Sequence, residues 1–271
     1  MTREELSRNI FRKRSFLCTG LDTDIGKLPV SLDRDIRGMV NFNTDIIRCT
    51  ADLSVAYKIN TAFYEQYGAR GWEAMAETLD LIPGDCLAIA DAKRGDIGNT
   101  SAMYARAFFD ELRFDAITVA PYMGEDSLRP FLEFEDKWVI CLALTSNPGS
   151  ADFQMLESQG KRLYEHVIET VCRWGNPDNL MFVTGATQAA HLEHIRTIIP
   201  EHFLLVPGVG AQGGDLHEVA GAALNDSGGL LVNASRSILY ASRDEDYTDA
   251  ARAEAMRLQR EMDIALRQEG Y

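Results

Sequence analysis

The stretch CLAIADAKRGDIGNTSAMYARAFFDELRFDAITVAPY (86–122) holds the repeating unit of the chain. Its ends, CLAIADAKR (86–94) and DAITVAPY (115–122), are short apolar runs rich in strand formers, and DIGNTSAMYARAFFDELR (96–113) between them has helical spacing. Strands that are apolar throughout, without polar alternation, are buried on both faces, which is the condition of parallel strands joined by helical crossovers. The same kind of run recurs as SFLCTGLD (15–22), SVAYKIN (54–60), WVICLALT (138–145), NLMFVTGA (179–186), FLLVPGVG (203–210) and GLLVNASR (229–236). Eight strand and helix alternations imply a closed (β/α)8 barrel of the TIM type, with a doubly wound sheet as the rival.

Helical stretches fill the gaps: KRLYEHVIETVCRWG (161–175), TQAAHLEHIRTIIP (187–200) and DYTDAARAEAMRLQREMDIALRQ (246–268). No Ser/Gly/Pro linker, low-complexity tract or charge block divides the 271 residues, so one domain spanning 1–271 is expected, with a barrel core over about 15–245 and a closing helix over about 246–268.

Composition narrows the partners. A net charge of −14 repels phosphate backbones and anionic lipid, so neither nucleic acid nor membrane is an expected partner. A small anion is still compatible if a few cationic groups converge in one cleft. The cysteines, Cys18, Cys49, Cys86, Cys141 and Cys172, are odd in number and lack a C-x-x-C pair, so neither a disulfide framework nor a zinc ribbon is encoded. The opening residues MTREELSRNIFRKRSF carry charges throughout, and no run approaches the ~18 apolar residues of a membrane span. A cytoplasmic chain, neither secreted nor anchored, is expected.

Barrels of this kind build their sites at the carboxyl ends of the strands. Here those ends carry Asp22, Lys58, Asn60, Asp91, Lys93, Ser146, Gln212, Ser235 and Arg236. In DAKRGD, period-two geometry points Asp91 and Lys93 to one face. A Schiff-base lysine must be partly neutral, and a neighbouring carboxylate opposes that; Lys93 therefore reads as a proton donor or charge clamp. Lys58 extends the alternation of charge, and Asp96 reads as the N-cap of the following helix.

PGVGAQGGD (207–215) formally satisfies G-x-G-x-x-G through Gly208, Gly210 and Gly213, but it lies in the seventh unit and the next strand ends in Asn233 rather than an acid. It reads instead as a phosphate loop of the kind barrels carry after their last strands, with Arg236 of NASR (233–236) as a forked donor. His191 and His194 form H-x-x-H on an outer helix without a third ligand, so no metal site is assigned. Trp72, Trp138 and Trp174 read as packing, and Asp244, Glu245 and Asp246 as a solvated face before the last helix.

GLDTDIGKLP, YKIN, DAKRGDIGNT, TVAPYMG, LTSNPGS, PGVGAQGGD and NASRSILYA, in this order and on these strands, resemble the orotidine 5′-phosphate decarboxylase family, and its second, bacterial-type branch in particular. The resemblance covers about residues 15–245. The D-x-K-x-x-D core is shared with related barrels such as 3-keto-gulonate-phosphate decarboxylase; DAKRGDIGNT together with TSNPGS and the Gln-bearing phosphate loop is much more specific. It implies conversion of orotidine 5′-monophosphate to UMP and carbon dioxide, in pyrimidine biosynthesis, without a metal or organic cofactor. Lys93 would protonate the vacated pyrimidine carbon, Asp91 would sit against the departing carboxylate, and Lys58 would link Asp91 to the ribose. Asp22 would hold ribose hydroxyls, Ser146 would touch the pyrimidine from a lid at 145–160, and Gln212 and Arg236 would bind the phosphate, with Ser235 a further substrate-binding candidate. The resemblance also implies a homodimer in which Asp96 and Thr100 act in the neighbour's site, against the reading of Asp96 as a cap in its own chain. A metal-dependent enzyme on sugar phosphates, or a silent barrel that senses nucleotide, are the other readings of the same residues.

Overall fold

A computed structural model describes residues 1–185, 189–208 and 215–271. Eight strands form the barrel: β1 (Leu17–Gly20), β2 (Ser54–Asn60), β3 (Leu87–Arg94), β4 (Ala116–Val119), β5 (Trp138–Leu144), β6 (Leu180–Thr184), β7 (Phe203–Pro207) and β8 (Leu230–Ala234). Each pairs in parallel with the next, and β8 pairs with β1 to close the ring. Every residue of β1, β4, β6 and β8 is buried, the pattern expected of strands covered by side chains inside and helices outside. The eight apolar runs thus appear as the eight barrel strands, from the whole of 54–60 in β2 to the inner four residues of 115–122 in β4.

Around them lie α1 (Arg3–Lys13), α2 (Ile36–Thr50), α3 (Ala69–Asp80), α4 (Gly98–Arg106), α5 (Glu125–Leu132), α6 (Leu163–Val171), α7 (Ala189–Ile198), α8 (Leu216–Ala223) and α9 (Tyr247–Gln268). Among the described residues no helix is long and apolar enough to cross a membrane.

Helix α1 closes one end of the barrel. It starts with a capping box between Thr2 and Glu5, ends on Arg14 at φ 52°, and buries Leu6 and Ile10 completely, at about 1.5–3 kcal/mol each. Several of its polar contacts fall before or at the start of strands: Asn9 Nδ2 donates to the Asp85 carbonyl, and Lys13 Nζ to those of Ala51 and Ser54. The Met1 carbonyl accepts from Trp138 Nε1 at the start of β5. With the amino ends of the strands covered, the carboxyl ends supply the open mouth.

One helical expectation is modified, and the lid segment has secondary structure of its own. The helix over 96–113 is regular only through α4 and continues as a π-turn at Ala107–Glu111, whose wider turn brings Phe108 and Phe109 into the core beside Trp72 and Phe131. The connection over 145–160 is not structureless: it holds a helical turn, Ser150–Phe153, and then a short antiparallel pair, Glu157–Ser158 with Lys161–Arg162, turned by Gln159 and Gly160 at φ 53° and 78°.

Candidate active site

The carboxyl ends of the strands surround a cavity of about 300 Å3. Asp22, Lys58, Asp91, Lys93, Ser146, Ser235 and Arg236 all line it, contributed by segments at the ends of β1, β2, β3, β5 and β8. Side chains more than 200 residues apart in sequence therefore share one wall because every parallel strand ends at the same mouth.

At its floor is a chain of alternating charge. Lys58 Nζ lies 3.3 Å from Asp22 Oδ1 and 2.9 Å from Asp91 Oδ2, and Lys93 Nζ lies 2.5 Å from Asp91 Oδ1. Register explains the first contacts: Gly20 and Lys58 are opposed across β1 and β2, and Asn60 and Asp91 across β2 and β3. Lys58 is only 4% exposed. Burial alone would lower its pKa, but the Asp91 and Asp22 carboxylates outweigh burial and raise it. Asp91 mirrors this: burial pushes its carboxyl up, the ammonium groups of Lys58 and Lys93 pull it down, and the net result lies well below the usual carboxylate range. The floor is therefore an ionic array with two lysines sharing one deeply held carboxylate.

The contact between Asp91 and Lys93 does not arise from simple strand alternation. The pairing of β3 with β4 jumps from Ala90↔Ile117 to Arg94↔Val119, so three residues of β3 face one of β4, Thr118. Lys93 absorbs the excess length at φ 47°, in the left-handed region. Thr118 Oγ1 accepts from the Lys93 backbone N–H at 2.9 Å and donates to Asp91 Oδ1 at 3.0 Å.

Beside β1, β8 ends in Asn233 and Ala234, Ser235 follows, and Arg236 begins a single helical turn through Leu239. A Cβ at Gly20 would stand 2.8 Å from Ser235 Cβ, so the absence of a side chain on β1 is what admits Ser235. Among the described residues, the buried Ser235 Oγ has no hydrogen-bond partner and the exposed Arg236 forms no ion pair. Gly208, at φ 97°, leads out of β7 at the same mouth. Gln212, with Gly210 and Gly213, lies outside the described residues.

The matches to known proteins agree with this geometry. Residues 17–252 match the model of the orotidine 5′-phosphate decarboxylase / HUMPS family. The chain belongs to that family. It is 53% identical over 265 residues to the orotidine 5′-phosphate decarboxylase of Flavobacterium johnsoniae, and 54% over 266 residues to that of Bacteroides fragilis, covering 97% of each chain in both cases. Among solved structures, the OMP decarboxylase of Leishmania donovani superposes with a TM-score of 0.86 at 36% identity, covering 98% of both chains.

Within this decarboxylase-family barrel, two expected site residues stand apart. Asp96 and Thr100 do not line the cavity of their own chain; Thr100 is exposed on the first turn of α4. The reading of Asp96 as an N-cap is corrected: the cap position is Ile97, without a side-chain cap bond, and among the described residues Asp96 Oδ1 accepts only from the adjacent Ile97 N–H. Ser101 takes over the loop, its buried hydroxyl accepting from the Asp96 N–H and donating to the Asp96 carbonyl. That leaves the Asp96 carboxylate outside the helix's own hydrogen bonding.

His191 and His194 sit on α7, where they meet Arg162 and Glu165, and no group of three or more potential ligands converges among the described residues. The residue missed by the sequence reading is Thr118, whose signal was a hydroxyl inside the otherwise apolar run DAITVAPY. Gln154 was missed too: its side chain bonds the N–H and hydroxyl of Thr145, pinning the 145–160 connection across its base.

Proposed function

We propose that the chain decarboxylates orotidine 5′-monophosphate to UMP and carbon dioxide; its relatives carry the name orotidine 5′-phosphate decarboxylase. The observation that carries this is the Asp22, Lys58, Asp91, Lys93 array at the floor of the open mouth. The C6 to carboxylate bond breaks, its electron pair stays on C6, and carbon dioxide leaves. Lys93 then passes an ammonium proton to C6, and solvent returns a proton to the amine, so that one proton is consumed per turnover. A fixed cation at the developing carbanion stabilises the transition state without reorganisation. Asp91 faces the leaving carboxylate and fixes both lysines; Lys58 and Asp22 reach toward the ribose.

The donor set favours a reaction that uses no metal. Two carboxylates that could ligate a divalent ion, Asp22 and Asp91, already flank the Lys58 ammonium. Ser146 belongs to the pyrimidine side on the 145–160 lid. Ser235, Arg236 and Gln212 hold the phosphate, consistent with a hydroxyl and a guanidinium that are both unpartnered among the described residues. Phosphate contacts far from C6 supply binding energy for ordering the lid.

The finer reading assigns the chain to the bacterial-type second branch, working in the cytoplasm as one barrel unit and as a homodimer. Supporting the dimer, Ile97, Met103 and Tyr104, close in sequence to Asp96 and Thr100, and Tyr122 and Met123 after β4 are apolar side chains left at 36–91% exposure. A partner seated there would receive Asp96 and Thr100 into its own site.

The test is the loss of orotidine 5′-monophosphate absorbance in the presence and absence of EDTA. Turnover unaffected by chelation is expected. Abolition by EDTA would favour the metal-dependent reading, and tight UMP binding without turnover would favour the nucleotide sensor.

A further inference from the structure

We infer that Thr118 is a positioning residue for the reaction: its hydroxyl sets the backbone of Lys93 and the carboxylate of Asp91 in one register. The inference rests on the decarboxylase reading above, in which Lys93 delivers the proton.

The β3 bulge creates the need. Between Ala90 and Arg94 the ladder to β4 lapses, and the Lys93 amide has lost its regular partner across the sheet. A buried backbone N–H without a partner is costly, and so is a non-glycine residue held at positive φ. Thr118 Oγ1 answers both by accepting from that amide at 2.9 Å. Having accepted there, the hydroxyl has its own proton free, and it gives it to Asp91 Oδ1 at 3.0 Å. The same carboxylate oxygen receives Lys93 Nζ at 2.5 Å. One hydroxyl thus ties the lysine's main chain to the oxygen that holds the lysine's head, closing a small ring that fixes where the ammonium points. Thr118 is 1% exposed and lines the cavity, so water cannot easily replace it. Valine in its place would keep the shape and lose both bonds.

The experiment compares wild type, Thr118→Val and Thr118→Ser for kcat, KM and thermal midpoint with orotidine 5′-monophosphate. A misplaced reacting group costs rate more than binding, so Thr118→Val is expected to lower kcat at least about tenfold with KM within about twofold, and Thr118→Ser to recover at least half of the wild-type kcat. Thr118→Ala removes the hydroxyl with the methyl and reads the same split if the valine protein does not fold. A kcat within twofold of wild type in Thr118→Val overturns the inference. So do parallel losses in kcat, KM and midpoint that serine does not rescue, and failure of both the valine and alanine proteins to fold, since each marks a structural residue. Wild type that does not turn over orotidine 5′-monophosphate overturns the underlying reading instead, which keeps the two failures distinct.

Discussion

Lys58 Nζ stands 2.9 Å from Asp91 Oδ2 with 4% of the lysine exposed, and a second carboxylate, Asp22, closes on it from the other side at 3.3 Å. A buried cation held this way is expensive to create and expensive to orphan, so the array is a structural commitment as well as a chemical one.

Replacing Lys58 with Met should therefore destabilise the fold, by about 2–4 kcal/mol because Asp91 retains Lys93 as a partner. The Asp91 carboxyl is depressed from its ordinary 3.8, so its contribution is complete above that value and is lost as pH falls below it. Lys58 is raised from 10.5, so its contribution is complete below that value and is lost only as pH rises beyond it. Denaturant unfolding of both proteins should give a constant stability difference from about pH 5 to 9 that shrinks below about pH 4. A difference that disappears near neutrality would contradict the ionic array.

Arg236 tests the phosphate end. A charge-assisted hydrogen bond is worth ~1.5–3 kcal/mol, so Arg236→Ala should lower kcat/KM for orotidine 5′-monophosphate at least about tenfold. The phosphate-free nucleoside, assayed alongside, should lose less than about twofold. Equal losses for the two substrates would mark Arg236 as structural.

The position of Asp96 away from its own cavity makes the shared site testable. Asp96→Ala and Lys93→Ala proteins, each nearly inactive, should regain activity on mixing. In a two-fold dimer, a heterodimer puts both lesions in one site and leaves the other whole, so an equal mixture should approach about a quarter of wild-type sites. A mixture that stays inactive after subunit exchange is verified by mass spectrometry would place Asp96 in its own chain's chemistry.

The strands were legible because each is buried on both faces, which makes a run such as WVICLALT apolar without interruption. The charged floor was legible for the complementary reason: Asp22, Lys58, Asp91 and Lys93 break those runs at the end where barrels place chemistry. What escaped was everything decided by local backbone. Alternation alone predicts Asp91 and Lys93 on one face, whereas they meet through a bulge and a left-handed lysine, which no periodicity encodes. Asp96 resembles a cap in sequence, yet Gly98 starts the helix two residues later and Ser101 holds the loop. Thr118 looked like one more β-branched strand former, because its role depends on a neighbour 25 residues away.

The central claim is that Lys93 supplies both the fixed cation and the proton, each typically worth at least ~10²-fold in rate. The most direct measurement is turnover of orotidine 5′-monophosphate by Lys93→Ala beside wild type, with circular dichroism confirming a folded barrel. The account predicts a folded protein whose kcat falls by at least about 10²-fold; a folded Lys93→Ala protein that retains a tenth or more of wild-type activity would contradict it.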